Sequence, residues 1–131
     1  VFGPNLGIIS DVGASWFVPN LIGRARANGM GLLGEDISAK QAKEWGLIWD
    51  CVPDKELMPK AEEIAKKLAN GPITGLKEIV KAHDKALSGS LSEQLDYEKE
   101  TQRIRLDSKD FREGVTAFAE KRKPNFKDLD Q

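Results

Sequence analysis

Asp11 is the one carboxylate in this chain whose surroundings suit acid–base chemistry. It closes the apolar run Leu6-Gly7-Ile8-Ile9-Ser10 and is followed at once by Val12-Gly13-Ala14-Ser15-Trp16. An apolar run, then small residues, then an apolar helical pattern place Asp11 at a strand-to-helix switch, where a side chain can project into a pocket. A carboxylate there can cap the helix that follows. It can also take and return a proton beside a carbonyl, which a carboxylate does well when burial raises its pKa toward neutrality. Spacing alone favours the cap.

The other chemistry-bearing residues narrow the field. His83 is the only histidine, so the chain holds neither a histidine-based triad nor a multi-histidine metal site. Its place on the apolar stripe of a helical pattern reads as core or interface. Cys51 lies in Ile48-Trp49-Asp50-Cys51-Val52 and reads as a small apolar packing group. A single cysteine excludes an internal disulfide and fits a reducing, cytoplasmic setting. Gly29-Met30-Gly31 matches neither the phosphate-loop nor the dinucleotide-binding pattern. Lys121-Arg122-Lys123 complements the dipole at a helix end, and such a cluster is equally able to hold a phosphate. Phe118, spaced with Phe111 and Val115, reads as a core anchor.

The composition excludes several classes of partner. Twenty basic against 21 acidic residues leave a net charge of -1, so no global field draws nucleic acid or an anionic membrane. No apolar run approaches the roughly 20 residues of a membrane span, and no signal-peptide pattern is present. The chain opens on Val1 within a strand pattern that has no lead-in, as expected of a sequence entering the middle of a fold.

Mostly helical elements must position these residues. Gly13 to Leu21 predicts a short helix ended or kinked by Pro19. Gly23 to Leu33 predicts a second, stopped by Gly34. Ser38-Ala39-Lys40-Gln41 has capping-box spacing and opens a helix that stops at Gly46. Residues 47–52 are rich in strand formers and predict a short strand closed by Pro53. Long helices are expected from about Leu57, with Pro59 in the first turn, and from Pro72 as a first helical residue. A third follows a Ser90/Glu93 capping box, and a last one starts near Ser108. The third is mostly polar, which suits an exposed or docked position.

Taken together, the stretches Gly7-Ile8-Ile9-Ser10-Asp11-Val12-Gly13-Ala14-Ser15, Leu21-Ile22-Gly23-Arg24-Ala25, Ser38-Ala39-Lys40-Gln41-Ala42 with Trp45-Gly46-Leu47-Ile48, and Arg112-Glu113-Gly114-Val115-Thr116-Ala117-Phe118-Ala119-Glu120-Lys121-Arg122 resemble the crotonase (enoyl-CoA hydratase/isomerase) superfamily. The resemblance covers essentially the whole chain but only the second half of a usual member. It implies an α/β crotonase (ClpP-like) fold, second half only. That half is mostly α-helical, with a short strand near 47–52 and a remnant strand at the N-terminus. Residues 1–53 would end the spiral-core domain, and residues 54–131 would form a C-terminal helical region of the trimerisation type.

The resemblance also implies a mechanism. A thioester carbonyl is polarised by two backbone N–H groups that belong to the absent half, stabilising an enolate-like intermediate. Asp11 matches the aspartate with which isomerase members move a proton between carbons of an acyl-CoA. The glutamate usual in hydratases falls at Gly3 in an ungapped count, which disfavours a hydratase, and the other usual hydratase glutamate would lie in the absent half. Trp16 and Glu44-Trp45-Gly46-Leu47-Ile48-Trp49 are similar to members that rearrange a ring-epoxide acyl-CoA to an oxepin. Ser10, Ala14 and Asn20 depart from the usual proline, glycine and arginine. Phe118 and Lys121 match an aromatic and a lysine that hold the CoA nucleotide, often across a subunit interface. The implied partners are an acyl-CoA substrate and either further copies of the chain, as a trimer or dimer of trimers, or a missing N-terminal half. No metal and no cofactor beyond the CoA of the substrate are implied. A catalytically silent interaction fragment is the alternative from outside enzyme chemistry.

Overall fold

A computed structural model describes residues 3–127 and 129, with nothing described for the side chains of residues 3 and 4. The described residues form eight helices and two compact units, dividing between Glu56 and Leu57. The division falls in the first turn of a long helix.

The first unit holds α1 (Gly3–Leu6), α2 (Ala14–Ile22), α3 (Arg24–Leu33) and α4 (Ala39–Trp45). α2 packs on α3 across Gly23, whose φ of 80° a side chain would resist. The apolar residues of α2 meet little cover: Ile22 is buried, but Trp16, Phe17 and Leu21 are exposed. Pro19 does not end α2. The helix runs on to Ile22, and the Asn20 side chain donates to the Trp16 carbonyl at 2.7 Å. α4 begins at the expected Ser38 cap, whose hydroxyl accepts the Gln41 N–H without the reciprocal bond of a full capping box, and stops at Gly46 in the left-handed region.

Neither predicted strand forms among the described residues. In the stretch 47–52, the N–H groups of Leu47 and Ile48 turn back to the Ala42 carbonyl at 2.9 and 3.4 Å. The helix end therefore claims the donors that a strand ladder needs. At the N-terminus, α1 stops at Gly7 with φ 67°, and residues 8–11 are irregular, with Ile8 and Ile9 exposed. Among the described residues there is no second strand for this run to pair with, and a lone strand has no ladder to stabilise it.

The second unit takes most of α5 (Asp54–Ala69), then α6 (Ile73–Ala86), α7 (Leu91–Leu106) and α8 (Lys109–Ala119). α5 starts earlier than the apolar period suggests, so Pro59 lies inside it and not in the first turn. Ser90 and Glu93 complete a reciprocal capping box at the start of α7. α6 and α7 run antiparallel. The Gln94 side chain donates to the Ala82 carbonyl at 3.2 Å, and the Tyr97 hydroxyl donates to Glu78 at 3.1 Å. α8 begins at the Ser108 cap and buries Ala117.

Candidate functional site

Asp11 is exposed on a tight turn that leads into α2. Its carbonyl accepts the Ala14 N–H at 2.9 Å, and Val12 and Gly13 between them have φ of 52° and 81°. Two successive positive values match a type I′ turn. The helix cap is Gly13, with no side-chain capping bond, and its carbonyl accepts from Trp16 and Phe17. The capping role that spacing favours for Asp11 is therefore not taken, because the turn through Val12 and Gly13 moves the helix cap two residues beyond it. Its carboxylate has no hydrogen-bond or ion-pair partner among the described residues and is available to a reacting molecule.

Val12 makes this presentation costly. A β-branched residue in the left-handed region is disfavoured by about 1–2 kcal/mol, and Val12 is 95% exposed, so no packing in this chain offsets the cost. Gly13 fits the turn for two reasons, its φ and its space: a Cβ there would stand 2.9 Å from the Phe17 ring. Gly13→Ala is expected to lower stability by about 1–2 kcal/mol, read as a fall in the denaturant midpoint at unchanged slope.

Phe118 and Lys121 are brought together. They share the turn that ends α8, where the Lys121 N–H donates to the Phe118 carbonyl at 3.2 Å. Phe118 is 87% exposed, which corrects the core-anchor reading; the buried residue of that turn is its neighbour Ala117. Lys121, with φ 55°, is with Val12 one of only two non-glycine residues of positive φ among those described. Both thus fall at sites singled out in the sequence, and backbone strain of this kind concentrates at functional positions. Asp11 belongs to the first unit and the Phe118–Lys121 turn to the second.

Of the basic cluster, Arg122 is committed elsewhere. Its guanidinium grips Glu113 at 2.6 and 3.1 Å and Glu120 at 2.6 Å. Glu113 also accepts the Asn125 N–H at 2.7 Å. Arg122 and then this backbone donor hold the Glu113 carboxyl at about 2. A carboxyl depressed on folding stabilises the fold above its unfolded value near 4.5, and that contribution is lost as pH falls toward 2. Glu113→Gln is therefore expected to flatten the acid limb of a stability-against-pH curve between about pH 4.5 and 2. Sequence spacing gave no sign of this pair, since residues nine apart across a helix end follow no simple period.

The remaining candidates carry less. His83 is exposed on α6, not in a core, and Cys51 is a free, half-buried thiol whose N–H donates to the Asp50 side chain at 2.8 Å. An apolar groove along α6, α7 and α8, lined by Leu76, Ile79, Ala82, Leu95, Phe111 and Phe126, contains none of the predicted site residues. Among the described residues no group of three or more His, Cys, Asp or Glu is placed to hold a metal ion, and no helix is long and apolar enough to cross a membrane.

Comparison with known proteins puts these features in context. The sequence pattern of the enoyl-CoA hydratase/isomerase family matches residues 2–130. The chain is 47% identical over 121 residues to a 1,2-epoxyphenylacetyl-CoA isomerase of Escherichia coli, an alignment covering 92% of this chain and 46% of that one. It is 35% identical over 135 residues to a carnitinyl-CoA dehydratase of Salmonella agona, covering 93% and 48%. The crystal structure of an enoyl-CoA hydratase from Bacillus anthracis superposes with a TM-score of 0.88 at 36% identity, over 94% of this chain and 48% of that one. The chain thus spans about half the length of the relatives it matches.

Proposed function

We propose, for a chain that belongs to the enoyl-CoA hydratase/isomerase family, that it is the half of an acyl-CoA isomerase that carries the proton shuttle. The observation that supports this most is the Asp11 carboxylate, exposed on a strained turn and relieved of the capping role. In the proposed reaction a thioester carbonyl is polarised by donors outside this chain, so that a neighbouring C–H becomes acidic enough for a carboxylate to remove its proton. Asp11 takes that proton and returns it to another carbon. Charge and electrons balance without a metal or a redox cofactor. The resemblance to the epoxyphenylacetyl-CoA isomerase makes the ring-epoxide to oxepin rearrangement the finer version of this proposal.

The CoA nucleotide is assigned to the Phe118–Lys121 turn. The exposed ring offers a face for the adenine, and the Lys121 ammonium, with no carboxylate partner among the described residues, offers a charge for a phosphate. The apolar surfaces left open suit either further copies of the chain or a complementary half, in a cytoplasmic setting.

The discriminating experiment supplies the complete enzyme with 2-enoyl- and 3-enoyl-CoA and follows both isomers and the hydroxyacyl product by chromatography. The isomerase reading expects interconversion without water addition. A hydroxyacyl product that survives Asp11→Asn would replace it with the hydratase reading.

A further inference from the structure

The end of α8 has the hydrogen bonding of a Schellman motif. The Arg122 N–H donates to the Ala117 carbonyl at 3.0 Å and the Lys121 N–H to the Phe118 carbonyl at 3.2 Å, which puts Lys121 at the left-handed position just past the cap. Glycine is the usual occupant there, because a Cβ is disfavoured at positive φ. Among the described residues, the other helix C-terminal ends followed by a residue of positive φ use glycine: Gly7, Gly23, Gly34 and Gly46. Lysine at the fifth is the exception, and a strained residue persists only where its surroundings over-determine it.

Those surroundings are specific. Arg122, the next residue, is held by a two-point fork to Glu113, one helical face back, and by a third bond to Glu120. Glu113 is mostly buried at 16% exposure and ties down the chain beyond the motif through the Asn125 N–H. Planar fork-to-carboxylate pairs fix geometry in two directions at once. The residues before and after Lys121 are thus anchored while its own side chain is left exposed.

We infer that Glu113 is a positioning residue: acting through Arg122, it holds Lys121 in the left-handed conformation that aims its ammonium at the nucleotide phosphate. The inference rests on the assignment of Lys121 to the CoA nucleotide. It adds that the basic cluster divides its labour, with Lys121 binding and Arg122 building the mount.

Titration of the complete enzyme with adenosine 3′,5′-bisphosphate, the nucleotide part of CoA, tests it by a double-mutant cycle. Lys121→Gly keeps the motif, since glycine suits the position, and is expected to weaken binding roughly 3- to 10-fold while the fold is retained. Glu113→Gln is expected to weaken binding by a similar factor in the parent chain and to have no further effect in the Lys121→Gly background. Arg122→Lys, which keeps the charge and loses the fork, should behave as Glu113→Gln does and serves if that variant fails to fold. A Glu113 effect of equal size in both backgrounds, or none at all while Lys121→Gly still weakens binding, would overturn the positioning role and leave the nucleotide assignment standing. If Lys121→Gly has no effect, or the complete parent enzyme does not bind the nucleotide, the assignment falls and the inference with it.

Discussion

Asp11→Asn in the complete enzyme is expected to lower kcat for isomerisation by about 100- to 10,000-fold, the range in which a positioned acid–base group acts. The amide is nearly isosteric with the carboxylate but accepts no proton at neutral pH. KM is expected to move little, because in the proposed mechanism Asp11 touches the reacting carbons and not the CoA moiety. A structural cost is also expected to be small. The Asp11 carboxylate makes no hydrogen bond among the described residues, and its part in the turn is played by its backbone carbonyl. A loss of kcat at unchanged stability would therefore report chemistry, whereas a fall in both would report a misread turn.

The second large effect concerns the chain by itself. Only Ile22, Ala42 and Ala117 are buried apolar residues among those described, while Leu32, Leu33, Trp49 and Phe118 are each more than two-thirds exposed. The accessible surface is 10611 Å². Even two separate compact bodies with this combined mass would expose only roughly 8000 Å². Surface of that kind is normally met by another polypeptide, and the relatives have about as much chain again with which to meet it. The purified 131-residue chain is therefore expected to self-associate and to turn over an enoyl-CoA at least about 100-fold more slowly than the complete enzyme, since loss of one oxyanion donor alone costs that much. Co-expression with a polypeptide matching the rest of a relative's length should restore turnover and narrow the sedimentation profile. Full activity from a monomeric 131-residue chain would contradict both halves of this expectation.

What could be read from the sequence was local. The caps at Ser38, Ser90 and Ser108 and the stops at Gly34 and Gly46 depend on residues within a few positions of one another, and all are found. The strand expected at 47–52 depends on a neighbour that the described residues lack, and a helix end takes its donors instead. The Phe118 reading failed for a related reason. Helical spacing reports which residues share a face, but not whether anything covers it, and here that face is largely bare. The proposed site residues were named as types, Asp11 from its place at a strand-to-helix switch and from the resemblance, Phe118 and Lys121 from the resemblance alone. The positive φ of Val12 and Lys121 was not legible, because valine and lysine carry no signal for it. Nor was the Glu113–Arg122 fork, which joins a helix to the chain just beyond its end.

The central claim is that Asp11 carries the proton, and isotope exchange reads it without dependence on net turnover. The complete enzyme is incubated with an enoyl-CoA in D2O, and deuterium at the two carbons flanking the mobile double bond is followed by NMR. The parent enzyme is expected to exchange or transfer hydrogen at both carbons, and Asp11→Asn at neither. Exchange that continues at the parent rate in the Asp11→Asn enzyme would show that another group moves the proton.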